Sequence, residues 1–211
     1  MMSATERERM VRRQIAGRGI DDPVILNAFR IVPRELFIPE DRRLFAYDDG
    51  ALPIDAGQTI SQPYIVALMI EAARIGSGST VLEVGAGSGY AAAVISHIAA
   101  KVVAIERHQT LARAARERID ALGYGNCTIL AGDGLRGCSE AAPFDAILVS
   151  AAGLEVPEIL KHQLKPGGTL VMPVGGDVQS LHAIRRMGDT EWESRELCAV
   201  RFVPLLEGHA P

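Results

Sequence analysis

The stretch VLEVGAGSGYAAAV, Val81 to Val94, decides how this chain folds. Its opening residues are apolar and partly β-branched, broken only by Glu83, and read as a short strand. Three glycines follow at Gly85, Gly87 and Gly89, and an alanine-rich run starts at Tyr90 and reads as a helix. A strand, a glycine-rich loop and a helix in that order open a doubly wound sheet. In such sheets ligands bind beyond the carboxyl ends of the strands, where the strand order reverses.

The downstream sequence continues the alternation. KVVAIE, NCTILAGD, FDAILVSAA and GGTLVMPVG read as strands. HQTLARAARERIDALG and VPEILKHQL read as helices between them. Strands that are apolar throughout imply a mainly parallel sheet covered on both faces. QSLHAIRRM and WESRELCAVRFVPL follow with no helix between them, so an antiparallel pair should close one edge. Upstream, TERERMVRRQIAGRG predicts a helix stopped at Gly17 and Gly19, and DDPVILNAFRIV a helix with Pro23 in its first turn. VPRELFIPED reads as a connector, and QPYIVALMIEAARI as a helix ending at a GSGS turn. The expected fold class is therefore α/β: a Rossmann-like, doubly wound, mainly parallel sheet with helices on both faces and an antiparallel C-terminal edge. We expect one domain over 1–211, with a helical N-terminal extension over 1–75 and the α/β core over 76–211.

Composition narrows the function classes. Of 211 residues, 48% are hydrophobic and the net charge is −4, which argues against a large nucleic-acid surface. Arg7, Arg9, Arg12, Arg13 and Arg18 cluster near the start, but basic residues at helical spacing read as a solvated face. No apolar run reaches membrane-span length, and the charged first residues lack a signal-peptide core. Cys127, Cys138 and Cys198 are odd in number and widely spaced, fitting neither a disulfide framework nor a zinc site. The expectation is a cytoplasmic monomer with reduced thiols, no metal, and no nucleic-acid or membrane partner.

The loop itself selects a cofactor. The dinucleotide fingerprint is G-x-G-x-x-G/A, whereas here Tyr90 takes the last position. Glu83 stands at the loop entrance, and the loop holds no Lys or Arg. A carboxylate beside a pyrophosphate is repulsive, and beside a cation it is favourable. S-adenosylmethionine has no phosphate and carries a sulfonium and an ammonium group, so the electrostatics choose it. Glu106 ends the next strand, 21 residues beyond Gly85, where an acid accepts hydrogen bonds from ribose hydroxyls. Asp133, in AGDG after the third strand, is placed to meet the adenine edge, with a plain Asp-Gly turn as the competing reading.

Just upstream lies PIDAGQTISQPY, Pro53 to Tyr64, rich in hydroxyls, amides and turn formers and without helical period. Taken together with RQIAGRGI, VPRELFIPE, AYDDGALPI, VLEVGAGSGY, AIER, GDG, APFDAILVSAA, LKPGGTLVMPVG and VRFVPL, it makes the chain resemble the protein-L-isoaspartate O-methyltransferases, a family of class I S-adenosylmethionine-dependent methyltransferases. The methyltransferase loop alone is widely shared. GQTISQP and VRFVPL are far more specific. The resemblance implies methyl transfer to the free α-carboxylate of isoaspartyl residues in damaged proteins or peptides, initiating repair through a succinimide, with S-adenosylhomocysteine as product. By the same resemblance Ser61 carries the active-site hydroxyl, and Thr59, Ile60 and Gln62 frame the isoaspartyl group. Arg201, Phe202 and Val203 would form the peptide-binding wall. Glu83, Gly85, Gly87, Ser88, Glu106, Arg107, Asp133 and Gly134 would surround the cofactor.

The chemistry suits such a site. A carboxylate nucleophile is already ionised at neutral pH, so no strong base is required. Alternatively, Thr59 and Ser61 would merely cap the helix that starts near Pro63. The chain departs from the family pattern at Asp55, Ala86, Ser150 and Gly153. Asp55, in place of a usual Gly, would bring a negative charge close to the acceptor site. Rival readings are a related methyltransferase with another carboxylate acceptor, a non-catalytic cofactor-binding module, and a nicotinamide oxidoreductase, the last opposed by Glu83 and Tyr90.

Overall fold

Local signals shape the first third of the chain. In the computed structural model, which describes residues 4–210, α1 (Ala4–Met10) runs on through a wider π turn and a 3-10 turn. It stops where Gly19 adopts φ 95°, a left-handed conformation that ends helices at little cost to glycine. α2 (Pro23–Ile31) starts as predicted: Asp22 caps it, accepting from Val24 N at 2.7 Å, and Pro23 occupies the first turn. The expected connector after it forms two 3-10 turns, Arg34–Phe37 and Glu40–Phe45.

The polar segment is more ordered than its sequence suggested. β1 (Leu52–Pro53) and β2 (Thr59–Ile60) pair antiparallel, with Leu52 opposite Ile60 and Pro53 opposite Thr59. Ile54 N donates to Gln58 O at 2.9 Å and closes the hairpin tip. Two residues per strand are too few to show an alternating pattern, so periodicity could not reveal them. α3 (Pro63–Ala72) follows directly.

The α/β core then unfolds in the expected order. β3 (Thr80–Val84), α4 (Tyr90–Ser96), β4 (Lys101–Glu106), α5 (Gln109–Ala121), β5 (Cys127–Ala131), β6 (Phe144–Val149), α6 (Glu158–His162), β7 (Leu164–Gly175), β8 (Gln179–Arg186) and β9 (Trp192–Val200) succeed one another. The sheet order is β5-β4-β3-β6-β7-β8-β9. β5, β4, β3, β6 and β7 pair in parallel, and β8 and β9 add antiparallel, giving the expected edge. From β3 the chain winds outward through β4 and β5, then returns to β6 on the other side. The order therefore reverses between β3 and β6, and a crevice opens at their carboxyl ends.

Both faces are covered. Val81, Val102 and Ala104 pack against α3, α4, α5 and the N-terminal helices. Leu82, Val84, Ile147 and Val149 pack on the opposite face with Leu160 of α6. One expected strand is shorter than predicted. β9 ends at Val200 instead of continuing through VRFVPL. The Gln179 side chain takes both backbone groups of Phe202, accepting from its N–H at 2.7 Å and donating to its carbonyl at 3.2 Å. The chain leaves the ladder and crosses to the loop after β6, where Ala152 N donates to Val203 O at 2.8 Å.

Gly89 joins the loop to α4 at φ 86°, and a Cβ there would lie 3.3 Å from Ala115 Cβ on α5. Backbone strain and tight packing thus act together at one position. Gly89→Ala should cost about 1–3 kcal/mol in chemical denaturation. An unchanged midpoint would show that α4 and α5 can separate to accept the methyl group.

Candidate active site

The crevice is built mainly from backbone. Gly85 N and Ala86 N both donate to Ile105 O, at 2.8 and 3.1 Å, folding the loop over the end of β4. Gly85 and Gly87 have φ of 87° and 53°. A Cβ on Gly85 would touch Ser150, and one on Gly87 would touch Ile54 of the hairpin. A Cβ on Gly134 would collide with Val84 Cγ1. Because these positions carry no Cβ, a cleft remains whose space, open solvent included, is about 780 Å³. The hairpin contributes Gln58 to Ser61, the loop Glu83 to Ser88, and β4 Glu106 with the Arg107 and His108 that follow it. Gly134, Ser150 and Ala151 line it below the crevice, and Val203 to Leu206 close it from the tail.

Two buried carboxyl groups dominate its electrostatics. Glu83 is 1% exposed, and its Oε2 has no hydrogen-bond partner. Burial, followed by repulsion from Glu106, pushes its pKa up to about 8. Glu106 is 4% exposed. Its Oε2 accepts from Gly87 N at 2.8 Å and its Oε1 from His108 N at 2.9 Å. Each carboxylate oxygen keeps a further lone pair for a ligand hydroxyl. An orphaned acid in a glycine cradle without phosphate-binding lysine suits a cationic ligand that has hydroxyls, which S-adenosylmethionine is.

Arg107 and Asp133 act differently from a simple ligand contact. Arg107 borders the cavity, and its guanidinium also donates to the carbonyls of Glu207 and Gly208, at 3.4 and 3.5 Å. Asp133 lies outside the cavity lining. Its Oδ1 accepts from Leu135 N and its Oδ2 from Gly208 N, both at 3.0 Å. Here Asp133 makes the turn that was weighed against adenine contact, and it also ties down the segment after β9. Among the expected cofactor residues it is the exception: Glu83, Gly85, Gly87, Ser88, Glu106, Arg107 and Gly134 all meet around one cavity. Sequence reasoning missed His108, Ser150, Leu205 and Leu206. Ser150, at the end of β6, was findable from the switch-point rule alone.

A second cavity lies behind the hairpin, lined by Thr59, Ser61, Gln62, Ile65, Arg201 and Phe202 among others. Thr59 and Ser61 border both cavities. Ile60 is buried and faces the first, and so does Val203, which the sequence had assigned to the acceptor wall. Gln62 Nε2 donates to Asp49 Oδ1 at 2.7 Å, and Asp49 in turn pairs with Arg18. The N-cap of α3 is Gln62, and no side chain caps it. The capping role considered for Thr59 and Ser61 is therefore not taken up. Asp55 corrects an expectation too. It sits at the hairpin tip in a separate depression with Arg43 and Arg118, bordering neither of the two cavities.

A model of the protein-L-isoaspartate(D-aspartate) O-methyltransferase family matches residues 5–210. The chain belongs to that family. A protein-L-isoaspartate O-methyltransferase of Methylorubrum extorquens is 56% identical over 206 residues, 97% of this chain and 90% of that one. One from Pelobacter propionicus is 53% identical over 202 residues, again 90% of the relative's length. Among solved structures, a protein-L-isoaspartate O-methyltransferase superposes with a TM-score of 0.86 at 31% identity, covering 94% of this chain and 65% of that one. A Plasmodium falciparum β-aspartate methyltransferase in complex with S-adenosyl-L-homocysteine gives 0.81 at 29% identity, covering 96% and 97%.

Glu83 makes stability depend on pH in a defined direction. Below the usual carboxyl range it is protonated whether the chain is folded or not, and nothing is lost. As pH rises to about 8 the unfolded chain gives up this proton while the folded one keeps it, so folding weakens through that window. Without cofactor, the stability advantage of Glu83→Gln over the native protein should grow by roughly 3–5 kcal/mol between pH 5 and 8.5. Thermal melts across that range check it. A stability difference that stays flat with pH would mean Glu83 is ionised in the folded state.

Proposed function

We propose that this chain transfers a methyl group from S-adenosylmethionine to the free α-carboxylate of L-isoaspartyl residues in damaged proteins or peptides. The observation that carries this reading is the shared wall: Thr59 and Ser61 border both the cofactor cavity and the cavity of Arg201 and Phe202. A donor on one side and an acceptor on the other would meet across two short side chains.

When bound, S-adenosylmethionine supplies an electrophilic methyl group on a sulfonium centre. On this reading, the protein holds that molecule through Glu106 at its ribose and Glu83 at its cationic end. Ser61 and Thr59 donate hydrogen bonds that orient the acceptor carboxylate without neutralising it. Arg201 favours an anionic peptide at the outer rim. No residue has to remove a proton, because the acceptor is ionised at neutral pH. Alignment is then the main catalytic contribution. The ester has lost its charge and gained a good leaving group. The following backbone nitrogen attacks the ester carbonyl, loses its proton, and expels methanol to close a succinimide. Hydrolysis of that ring returns part of the chain to normal aspartate.

The same reading takes the chain to be a single methyltransferase domain working as a monomer in the cytoplasm. The net charge of −4 supports the absence of a nucleic-acid partner. No helix among the described residues is long and apolar enough to cross a membrane.

Matched peptides bearing isoaspartate or aspartate at one position test the acceptor. Only the isoaspartyl peptide should be methylated, followed by methanol release and partial conversion to the aspartyl form. Normal aspartate sets its carboxylate one methylene further out, and small misplacements cost large rate factors. Equal methylation of both peptides, or of neither, favours a different carboxylate acceptor.

Ser61→Ala separates chemistry from folding. Turnover should fall by about ten- to a hundredfold while cofactor affinity and melting temperature stay near those of the native protein. Retained turnover with a lowered melt would return Ser61 to a purely structural role.

A further inference from the structure

Arg34 is the largest of the fully buried side chains, with 0% exposure. Among the described residues no carboxylate lies within ion-pair distance of it. Its neighbour Glu35 turns elsewhere, accepting from the Tyr47 hydroxyl and lying 3.9 Å from Arg7. Burying an unpaired cation is expensive, and an apolar side chain of similar volume would usually serve folding better. A feature that costs stability calls for another explanation.

Its contacts suggest one. Arg34 Nε donates to Ala46 O and Nη2 to Ser61 O, each at 2.8 Å. The guanidinium lies 4.7 Å from the centre of the Tyr90 ring. Tyr90 opens α4 directly after the glycine loop and lines the cofactor cavity. Phe29 and Phe37 lock that ring edge-on, with centroids 6.2 and 5.5 Å away. One planar cation therefore touches a fixed wall of the cofactor cavity and the backbone of the segment that separates the two cavities.

We infer that Arg34 is a positioning residue for methyl transfer, holding the Ser61 peptide in register with the Tyr90 wall so that acceptor and donor sides stay aligned. This rests on the functional reading above. A guanidinium can do it because its donors diverge within one rigid plane that also stacks on an aromatic ring. Lysine offers a point charge on a flexible stem and cannot hold both carbonyls while also facing the Tyr90 ring. A free Ser61 peptide would need to drift only a fraction of an ångström to slow an in-line transfer.

The test compares the native protein with Arg34→Lys and Arg34→Gln, using an isoaspartyl peptide and S-adenosylmethionine, below the melting temperature of each. Native turnover must be present first. Its absence counts against the functional reading and not against Arg34. Given native activity, the expected result is a fall in kcat of about tenfold or more in both variants. The peptide KM and the calorimetric Kd for S-adenosylhomocysteine should stay within about threefold. A folded variant with kcat within about twofold of native overturns the proposal, as does a parallel loss of cofactor affinity, which would mark Arg34 as cavity packing. If neither variant folds, Arg34 is a folding requirement and the proposal also fails.

Discussion

The carboxylate of Glu106 fixes the site. One oxygen holds the Gly87 amide and the other the His108 amide, so a single side chain at the end of β4 ties the glycine loop to the start of the next helical unit. The loop can be thin only because it is held in this way. Its glycines remove the side chains that would otherwise stiffen it, and Glu106 restores the constraint from outside. The hairpin rests on the same loop, with Ile54 above Gly87. Ser61 is therefore placed relative to the cofactor cavity through a short chain of contacts, not through a long lever.

Charge is distributed with economy around that frame. The cavity carries two buried acids, and the positive groups stand behind its walls or at its rim. Arg34 sits behind the hairpin and Arg201 at the outer cavity. Arg118, partly buried, donates to Ser88 O at 2.6 Å from the far side of the loop. Such a layout separates the surroundings expected for a cationic donor from those expected for an anionic acceptor. Asp55 does not disturb it, because the hairpin tip carries that charge toward Arg43 and Arg118.

Much of this was legible in the sequence. The strand–loop–helix unit and the uniformly apolar strands announced the parallel sheet, and the missing helix after GGTLVMPVG announced the antiparallel edge. Glu83, Glu106 and the glycines could be read from chemistry alone, since charge and close approach leave few alternatives. Other features could not. The hairpin has strands of two residues, below the reach of any period. β9 stops early because of one glutamine side chain from a neighbouring strand, and local sequence holds no sign of that. Asp133 was assigned to the adenine by its place in the chain, yet both of its oxygens are engaged by backbone amides, one of them 75 residues away. Arg34 looked like part of a connector. Its burial depends on elements brought together only by the tertiary fold.

The segment after β9 has a kinetic meaning. Val203 to Leu206 wall the cavity, and beyond them the chain is secured by hydrogen bonds to Asp133, Arg107 and Gln109. Two further bonds join Ala152 to Val203 and Leu205, at 2.8 and 2.7 Å, and Leu205 packs on the core, so lifting the segment breaks these contacts while leaving the seven-stranded sheet intact. A spent cofactor lying between it and the hairpin would leave more readily when one of them parts. The opening of these few residues then belongs, with the transfer they shelter, to the time that each damaged chain occupies one molecule.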